Sequence, residues 1–132
     1  MAEFESDRRD FPRLRRSIAV RYKFLSSTVK DEAMDRVCEG STQDLSIGGM
    51  LLVGPVPRMD WLKDLLLGRI DIGVNLQIPG VEFPVKALTR VAWLESVDEE
   101  ALCLRIGLRV LEMPPDQRRL LSDYLMKETA VP

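Results

Sequence analysis

Four stretches of the chain alternate apolar and polar residues, which is the period of a strand with one buried face. The clearest of them has an apolar residue at every second position from Ile70 to Ile78. Pro79 and Gly80 end that stretch, as expected at a turn. The other alternating stretches predict strands that begin near Ile18, Phe83 and Leu102. Two more strands are expected on either side of the Gly48-Gly49 turn, one from about Arg36 to Asp44 and one that begins at Met50.

Two other stretches have helical spacing of their apolar residues. The first runs over 58–67 and ends at Gly68, a residue type common just after a helix. The second begins at Pro114-Pro115-Asp116, where proline and an acidic residue favour a helix start, and extends to about Glu128. Its apolar stripe predicts docking on the rest of the fold and consists of Leu120, Leu121, Tyr124 and Leu125.

Six short strands separated by frequent turns predict a small barrel. The fold class is therefore mainly β: a six-stranded antiparallel (split) β-barrel, with a C-terminal helix and a short inserted helix. We expect one domain over 8–128, preceded by a flexible lead-in over 1–7, because 132 residues suit a single domain.

Composition narrows the function. The chain has no histidine, which excludes Ser-His-Asp and Cys-His nucleophiles and histidine-based metal sites. No acid–base constellation is visible either, so we expect neither an enzyme nor a bound cofactor or metal. Cys38 and Cys103 are isolated and fall in predicted strands, which favours buried structural thiols. No apolar run approaches the ~18 residues of a membrane span, and the acidic N-terminus lacks a signal, so we expect a cytoplasmic protein.

The net charge of −2 is unevenly distributed. Residues 8–23 contain seven basic residues and one acidic residue, a net charge of +6, so the remainder carries −8. A basic segment on an acidic body favours a specific anionic partner over general coating of nucleic acid.

Five of those basic residues lie within 8–16. Pro12 disfavours a helix there and predicts an extended arm. Arginine presents a planar fork of donors that suits phosphate, or O6 and N7 of guanine. Arg9 and Arg13, four residues apart, could divide these two tasks, with Arg8 assisting.

The second cluster is Asp44-Leu45-Ser46-Ile47-Gly48-Gly49. A carboxylate suits the Watson–Crick edge of guanine, whose N1–H and exocyclic amine both donate. Ser46 suits a phosphate or the base, while the glycines would let the chain turn sharply and a ligand approach the backbone. Each cluster alone also fits a simpler interpretation, namely a solvated tail and a capped turn between strands.

Taken together, the two clusters resemble the PilZ family. Residues 9–13 match its RxxxR motif, and residues 44–49 match its [D/N]xSxxG motif with an additional glycine. Gly107–Val110 resembles the last strand of the family and Leu120–Leu125 its closing helix. The resemblance implies a bacterial receptor for the second messenger cyclic di-GMP, acting through a downstream protein partner in motility, biofilm or exopolysaccharide control.

By the same resemblance, Arg9, Arg13, Asp44 and Ser46 would bind guanine and phosphate, and Gly49 would permit the turn. Arg8 stands where the family tunes whether one ligand or a pair is bound, and an arginine there favours the pair. The 58–67 helix is an insertion relative to the plainest family pattern. It would cover an end of the barrel or form a partner or dimer surface.

Trp93 allows two interpretations. Its parity places it with Phe83, Val85, Ala87, Thr89 and Val91 on the apolar face of the fifth strand, as part of the core. Its position near the end of that strand also suits a platform on which a purine stacks, as aromatic residues sometimes do in this family. Arg90 and Arg109 point away from the apolar faces and could reach a phosphate.

Two other classes of function stay open. One is a PilZ-like adaptor that binds proteins and no nucleotide. The other is a small barrel for single-stranded nucleic acid, although that function calls for more aromatic residues among the basic ones, so we expect no nucleic acid partner. The sequence leaves a homodimer open.

Overall fold

The computed structural model describes residues 13–129. The predicted lead-in over 1–7 and the arm through Arg8 and Arg9 lie outside the described residues. The strands are β1 (Ala19–Leu25), β2 (Cys38–Leu45), β3 (Gly49–Pro55), β4 (Asp71–Leu76), β5 (Val85–Asp98) and β6 (Cys103–Glu112). The helices are α1 (Trp61–Leu66) and α2 (Pro115–Thr129), and a short 3-10 helix spans Glu32–Asp35.

The six strands form a closed antiparallel barrel in the order β1-β2-β3-β6-β5-β4, which confirms the predicted fold class. The 3-10 helix was not predicted, since the polar segment before β2 has no apolar period. Its start is capped by Asp31, whose side chain accepts a hydrogen bond from the Ala33 N–H at 2.9 Å. That hydrogen bond also lowers the pKa of Asp31.

The barrel interior is built from the inward faces of the regular strands. In β4, Ile72, Val74 and Leu76 are buried, and they meet Val20 and Phe24 of the neighbouring β1. The ladder between β1 and β4 runs without a register shift from Val20↔Leu76 to Leu25↔Asp71. These two strands therefore serve as scaffold, as their sequence period predicts.

Both helices pack on the barrel through part of their apolar residues. Trp61 and Leu65 of α1 are buried, and the Trp61 ring packs against Phe24 at a centroid distance of 5.1 Å. The other side of α1 is also apolar but exposed, with Leu66 at 53%. In α2, the predicted stripe is buried at Leu121, Tyr124 and Leu125, whereas Leu120 is exposed.

The assignment of Trp93 to the core is wrong. The pairing of β5 with β6 shifts between Val91 and Trp93, so Ala92 is bulged out of the ladder and the alternation reverses. Val91 is buried, but Trp93 is 44% exposed on the outside of the barrel. Phe83, predicted on the same face, precedes β5 and is also exposed.

The two cysteines differ. Cys38 is buried as predicted, and burial raises the pKa of its thiol. Cys103 is only partly buried at the start of β6. No helix within residues 13–129 is long and apolar enough to cross a membrane.

Candidate ligand-binding site

A two-residue bridge brings the arginine arm to the end of β2. The Leu14 N–H donates to the Leu45 carbonyl at 2.8 Å, and the Leu45 N–H donates back to Leu14 at 2.9 Å. Leu14 and Leu45 are both buried, so the bridge is anchored in the core. As a result, Arg13 lies beside Asp44, with Nη1 3.4 Å from Oδ2.

Thr42 fixes the chain that follows the arm. Its hydroxyl donates to the Arg16 carbonyl at 3.0 Å and accepts from the Ile18 N–H at 3.2 Å. Thr42 is fully buried. Its hydroxyl therefore gives the Arg16 carbonyl and the Ile18 N–H the hydrogen-bond partners that water would supply at the surface. Sequence reasoning missed this residue, although a threonine at an inward position of β2 is a signal for such an anchor.

A bulge in β2 turns Asp44 outward. The pairing with β3 shifts from Thr42↔Leu52 to Asp44↔Leu51, so Gln43 is the extra residue. Without the bulge, Asp44 would follow Thr42 into the barrel. One Asp44 oxygen faces Arg13, while Oδ1 is covered and accepts no hydrogen bond from residues 13–129. A covered acceptor without a donor is unfavourable, so the carboxylate is poorly satisfied in this arrangement.

The turn after β2 closes on itself. Both the N–H and the hydroxyl of Ser46 donate to the Gly49 carbonyl, at 2.9 and 3.1 Å. The Gly48 carbonyl accepts from the Val110 N–H at 3.0 Å, which ties the turn to β6. In this state the Ser46 hydroxyl proton is used within the turn, and its oxygen keeps only its capacity to accept.

The two glycines of the turn differ in the space around them. Neither has a positive φ, so the turn conformation itself does not demand glycine. A Cβ on Gly49 would lie 2.6 Å from the Leu108 carbonyl oxygen, whereas a Cβ on Gly48 would meet nothing within 4 Å. Gly49 is therefore required by the close approach of β3 and β6.

Trp93 and Asp44 lie in one row across four strands. Trp93 pairs with Gly107 in β6, Gly107 with Leu51 in β3, and Leu51 with Asp44 in β2. Directly paired residues point to the same face, and three strand spacings of ~4.8 Å put the ends of the row about 14 Å apart. The Trp93 indole fills the space that a Cβ of Gly107 would occupy, so the ring lies over β6.

The next row of the same face carries two arginines. Arg109 is exposed and pairs with Gly49 on one side and with Arg90 on the other. Arg90 binds Asp71 through two hydrogen bonds, at 2.8 and 3.2 Å, and this contact raises the pKa of Arg90.

Most of the predicted site residues meet on this outer surface. Arg13, Asp44, Ser46, Gly49 and Trp93 all contribute to it, while Arg8 and Arg9 lie outside the described residues. A surface depression of about 620 Å³ lies instead at the opposite ends of β2 and β3, beside Cys38 and Pro55. Within residues 13–129, no cluster of three or more acidic or cysteine side chains is arranged to hold a metal ion.

Comparison with solved structures finds similar barrels at low sequence identity. The inhibitor of motility MotI/DgrA of Bacillus subtilis matches with a TM-score of 0.63 and 15% identity over 92% of this chain. This chain spans about half of that protein, 50%. The PilZ domain of YcgR from Escherichia coli, solved with c-di-GMP, matches at a TM-score of 0.56 and 15% identity, over 92% of this chain and 91% of that one.

A third similar structure is the PilZ domain of CeSA from a cellulose-synthesizing bacterium, with a TM-score of 0.51 and 14% identity over 89% of this chain and 93% of that one. A search of curated proteins found no significant match. The family model of the PilZ domain matches residues 7–127, which is nearly the whole chain. The chain therefore belongs to the PilZ domain family.

Proposed function

We propose that this protein is a bacterial, cytoplasmic receptor for cyclic di-GMP, which acts by binding and not by catalysis. The observation that carries the proposal is the pairing of Arg13 with Asp44 across the Leu14–Leu45 bridge. This pairing joins the guanidinium of the last residue of the first motif to the carboxylate of the first residue of the second motif. Membership in the PilZ family and the likeness to a PilZ domain solved with c-di-GMP support it further.

Binding begins with an exchange of partners. Without ligand, Arg13 occupies Asp44 Oδ2, and the other oxygen is covered. The Arg13 side chain is 46% exposed and the Asp44 side chain 28%, so this partly exposed ion pair contributes only on the order of 1 kcal/mol and opens readily. The N1–H and amine of guanine then donate to Asp44, and Arg13 turns to O6 and N7 or to a phosphate.

The Asp44 carboxylate determines which base binds. Adenine presents an acceptor at N1, which would face the Asp44 oxygens without a proton between them. Guanine presents two donors there, so Asp44 selects guanine over adenine. The Ser46 oxygen is available to accept from the base, and after release of its bond to Gly49 it can donate to a phosphate. Trp93, about 14 Å away along the row, provides a flat surface for stacking.

The signal passes through the arm. Arg8 and Arg9 bind the ligand together with Arg13, and binding changes the surface that a downstream protein contacts. Arg8 further favours binding of two stacked ligands. Measuring the molar ratio of bound cyclic di-GMP to protein tests the role of Arg8, with a ratio of two expected and a ratio of one contradicting it.

The proposal is tested by calorimetric titration with cyclic di-GMP. Arg13→Ala should weaken binding by roughly 10- to 100-fold, because a charge-assisted hydrogen bond contributes about 1.5–3 kcal/mol. Arg13→Lys should also weaken it, since the planar fork is lost. Arg119→Ala, an exposed arginine of α2, is the control and should bind as the unaltered protein does.

Asp44→Asn tests base selection. The change keeps the shape of the side chain but replaces one acceptor by a donor, so affinity for cyclic di-GMP should fall and its preference over cyclic di-AMP should shrink. Thermal unfolding checks that each variant is folded. Absence of cyclic di-GMP binding by the folded, unaltered protein would reject the function and favour the protein-binding adaptor.

A further inference from the structure

Arg109 lies on the outer face of β6, one row from Trp93 and Asp44. We propose that Arg109 is a further residue of the binding site, which contacts a phosphate of the ligand and makes the site selective for a cyclic dinucleotide over a mononucleotide. The inference rests on the proposed cyclic di-GMP function and extends it to a residue outside both sequence motifs.

The charge of Arg109 is uncompensated. Its side chain is exposed, and among residues 13–129 it forms no ion pair and no side-chain hydrogen bond. It also faces a like charge, because Arg90 is its direct partner in β5. Of these two directly paired cations, only Arg109 is left without an acidic partner among the described residues.

Arg90 is held away from the site. Its two hydrogen bonds to Asp71 direct the guanidinium toward β4, and its Nε lies beside Gly68 at the end of α1. Arg90 is therefore neutralised by Asp71, whereas Arg109 keeps its charge for a ligand. By strand pairing alone, Arg90 and Arg109 are equally suited to bind a ligand. Only the contact of Arg90 with Asp71 distinguishes them.

The position of Arg109 suits a phosphate between two bases. Arg109 lies two positions along β6 from Gly107, over which the Trp93 indole lies, so the Cα atoms of these two β6 residues are about 7 Å apart. On its other side it pairs with Gly49, at the turn that holds Ser46. A ligand with one base at Asp44 and another on Trp93 passes its phosphates through this region.

Arg13 and Arg109 have different roles in binding the ligand. Cyclic di-GMP carries two phosphodiesters, and the single fork of Arg13 serves either the base or one of these phosphates. Among the described residues Arg109 forms no ion pair, and its strand partners Gly49 and Arg90 carry no carboxylate that could read a base edge, so Arg109 responds to charge. Its contact should therefore depend on the number of phosphates and not on the identity of the base.

The test compares Arg109→Gln with Arg13→Ala in calorimetric titrations of cyclic di-GMP, cyclic di-AMP and GMP. Arg109→Gln should weaken cyclic di-GMP binding by about tenfold, the loss expected for one exposed charge-assisted contact. It should leave the ratio of affinities for cyclic di-GMP and cyclic di-AMP unchanged, and it should reduce the preference for cyclic di-GMP over GMP. The salt dependence of binding should become shallower, and Arg109→Lys should restore most of the affinity.

Arg119→Gln on α2 is the matched control, since it removes an exposed arginine that belongs to neither motif and to none of the paired strands, and it should not alter binding. Unchanged cyclic di-GMP affinity in Arg109→Gln, together with a loss in Arg13→Ala, would overturn the role of Arg109 and leave the receptor function intact. If the unaltered protein binds no cyclic di-GMP, the receptor function fails and the role of Arg109 fails with it.

Discussion

β4 and β5 are neighbours in the barrel and alternate equally well in sequence, yet only β5 contributes to the site. β4 pairs with β1 in an unbroken register, and its apolar residues are all buried. The pairing of β5 with β6 shifts at three places. One of these shifts, the bulge at Ala92, turns Trp93 to the outside. Trp93 is therefore exposed because of the bulge, although the alternation of the strand would place it inside.

A bulge also redirects a side chain in β2. The extra residue Gln43 turns Asp44 outward, and the two bulges place Asp44 and Trp93 in a single row of the outer face. Bulges are common beside functional sites because they redirect one side chain without breaking the sheet. The comparison separates a regular scaffold, β1 and β4, from an irregular functional face formed by β2, β3, β5 and β6.

The largest effect on stability is expected in the regular part. Ile72 is fully buried in β4, so Ile72→Ala should lower the free energy of unfolding by about 2–5 kcal/mol. The ligand affinity of the folded fraction should stay the same, because Ile72 lies in the regular part of the barrel and is not paired with a site residue. Urea unfolding and calorimetry measure the two quantities.

Asn75→Ala, on the outward side of the same strand, is the control for Ile72→Ala and should change the free energy of unfolding by less than about 0.5 kcal/mol. A loss of affinity in folded Ile72→Ala protein would mean that the scaffold and the functional face are not separable in this way.

The regular part of the molecule was predictable. The strands and both helices follow from the spacing of apolar residues, because burial of one face imposes a period of 2 or 3.6. A single site built from both motifs was expected from the family resemblance, but the contact of Arg13 with Asp44 was not, because it depends on the Leu14–Leu45 bridge between residues far apart in sequence. A local pattern contains no information on such a contact.

The irregular part was not predictable. A bulge inserts one residue and reverses the alternation, and nothing in the residues Val91-Ala92-Trp93 marks the break. Parity therefore put Trp93 in the core. The anchoring role of Thr42 and the difference between Arg90 and Arg109 likewise depend on partners from distant strands.

The glycine pair gives the next largest effect. Gly49→Ala places a methyl group 2.6 Å from the Leu108 carbonyl oxygen, and neither strand backbone can move away freely. We expect a loss of about 1–3 kcal/mol in the free energy of unfolding, as for other overpacked positions.

Gly48→Ala is the matched control for Gly49→Ala. It meets nothing within 4 Å and needs no positive φ, so its effect should stay within about 0.5 kcal/mol. Urea unfolding of both variants measures the difference. Equal losses would show that the turn conformation, and not the approach of β3 to β6, is what requires glycine.

The smallest effect on stability concerns the Trp93 indole, and it tests the functional face most directly. Gly107→Ala puts a methyl group where the ring lies, so the indole must move and the free energy of unfolding should fall by at most about 1 kcal/mol. In a Trp93→Ala background the same change should cost nothing, because the space is then empty. The difference between the two costs, measured by urea unfolding of all four proteins, is the coupling between ring and glycine. Equal costs in both backgrounds would mean that the methyl group meets the β6 backbone and that the indole does not lie over Gly107.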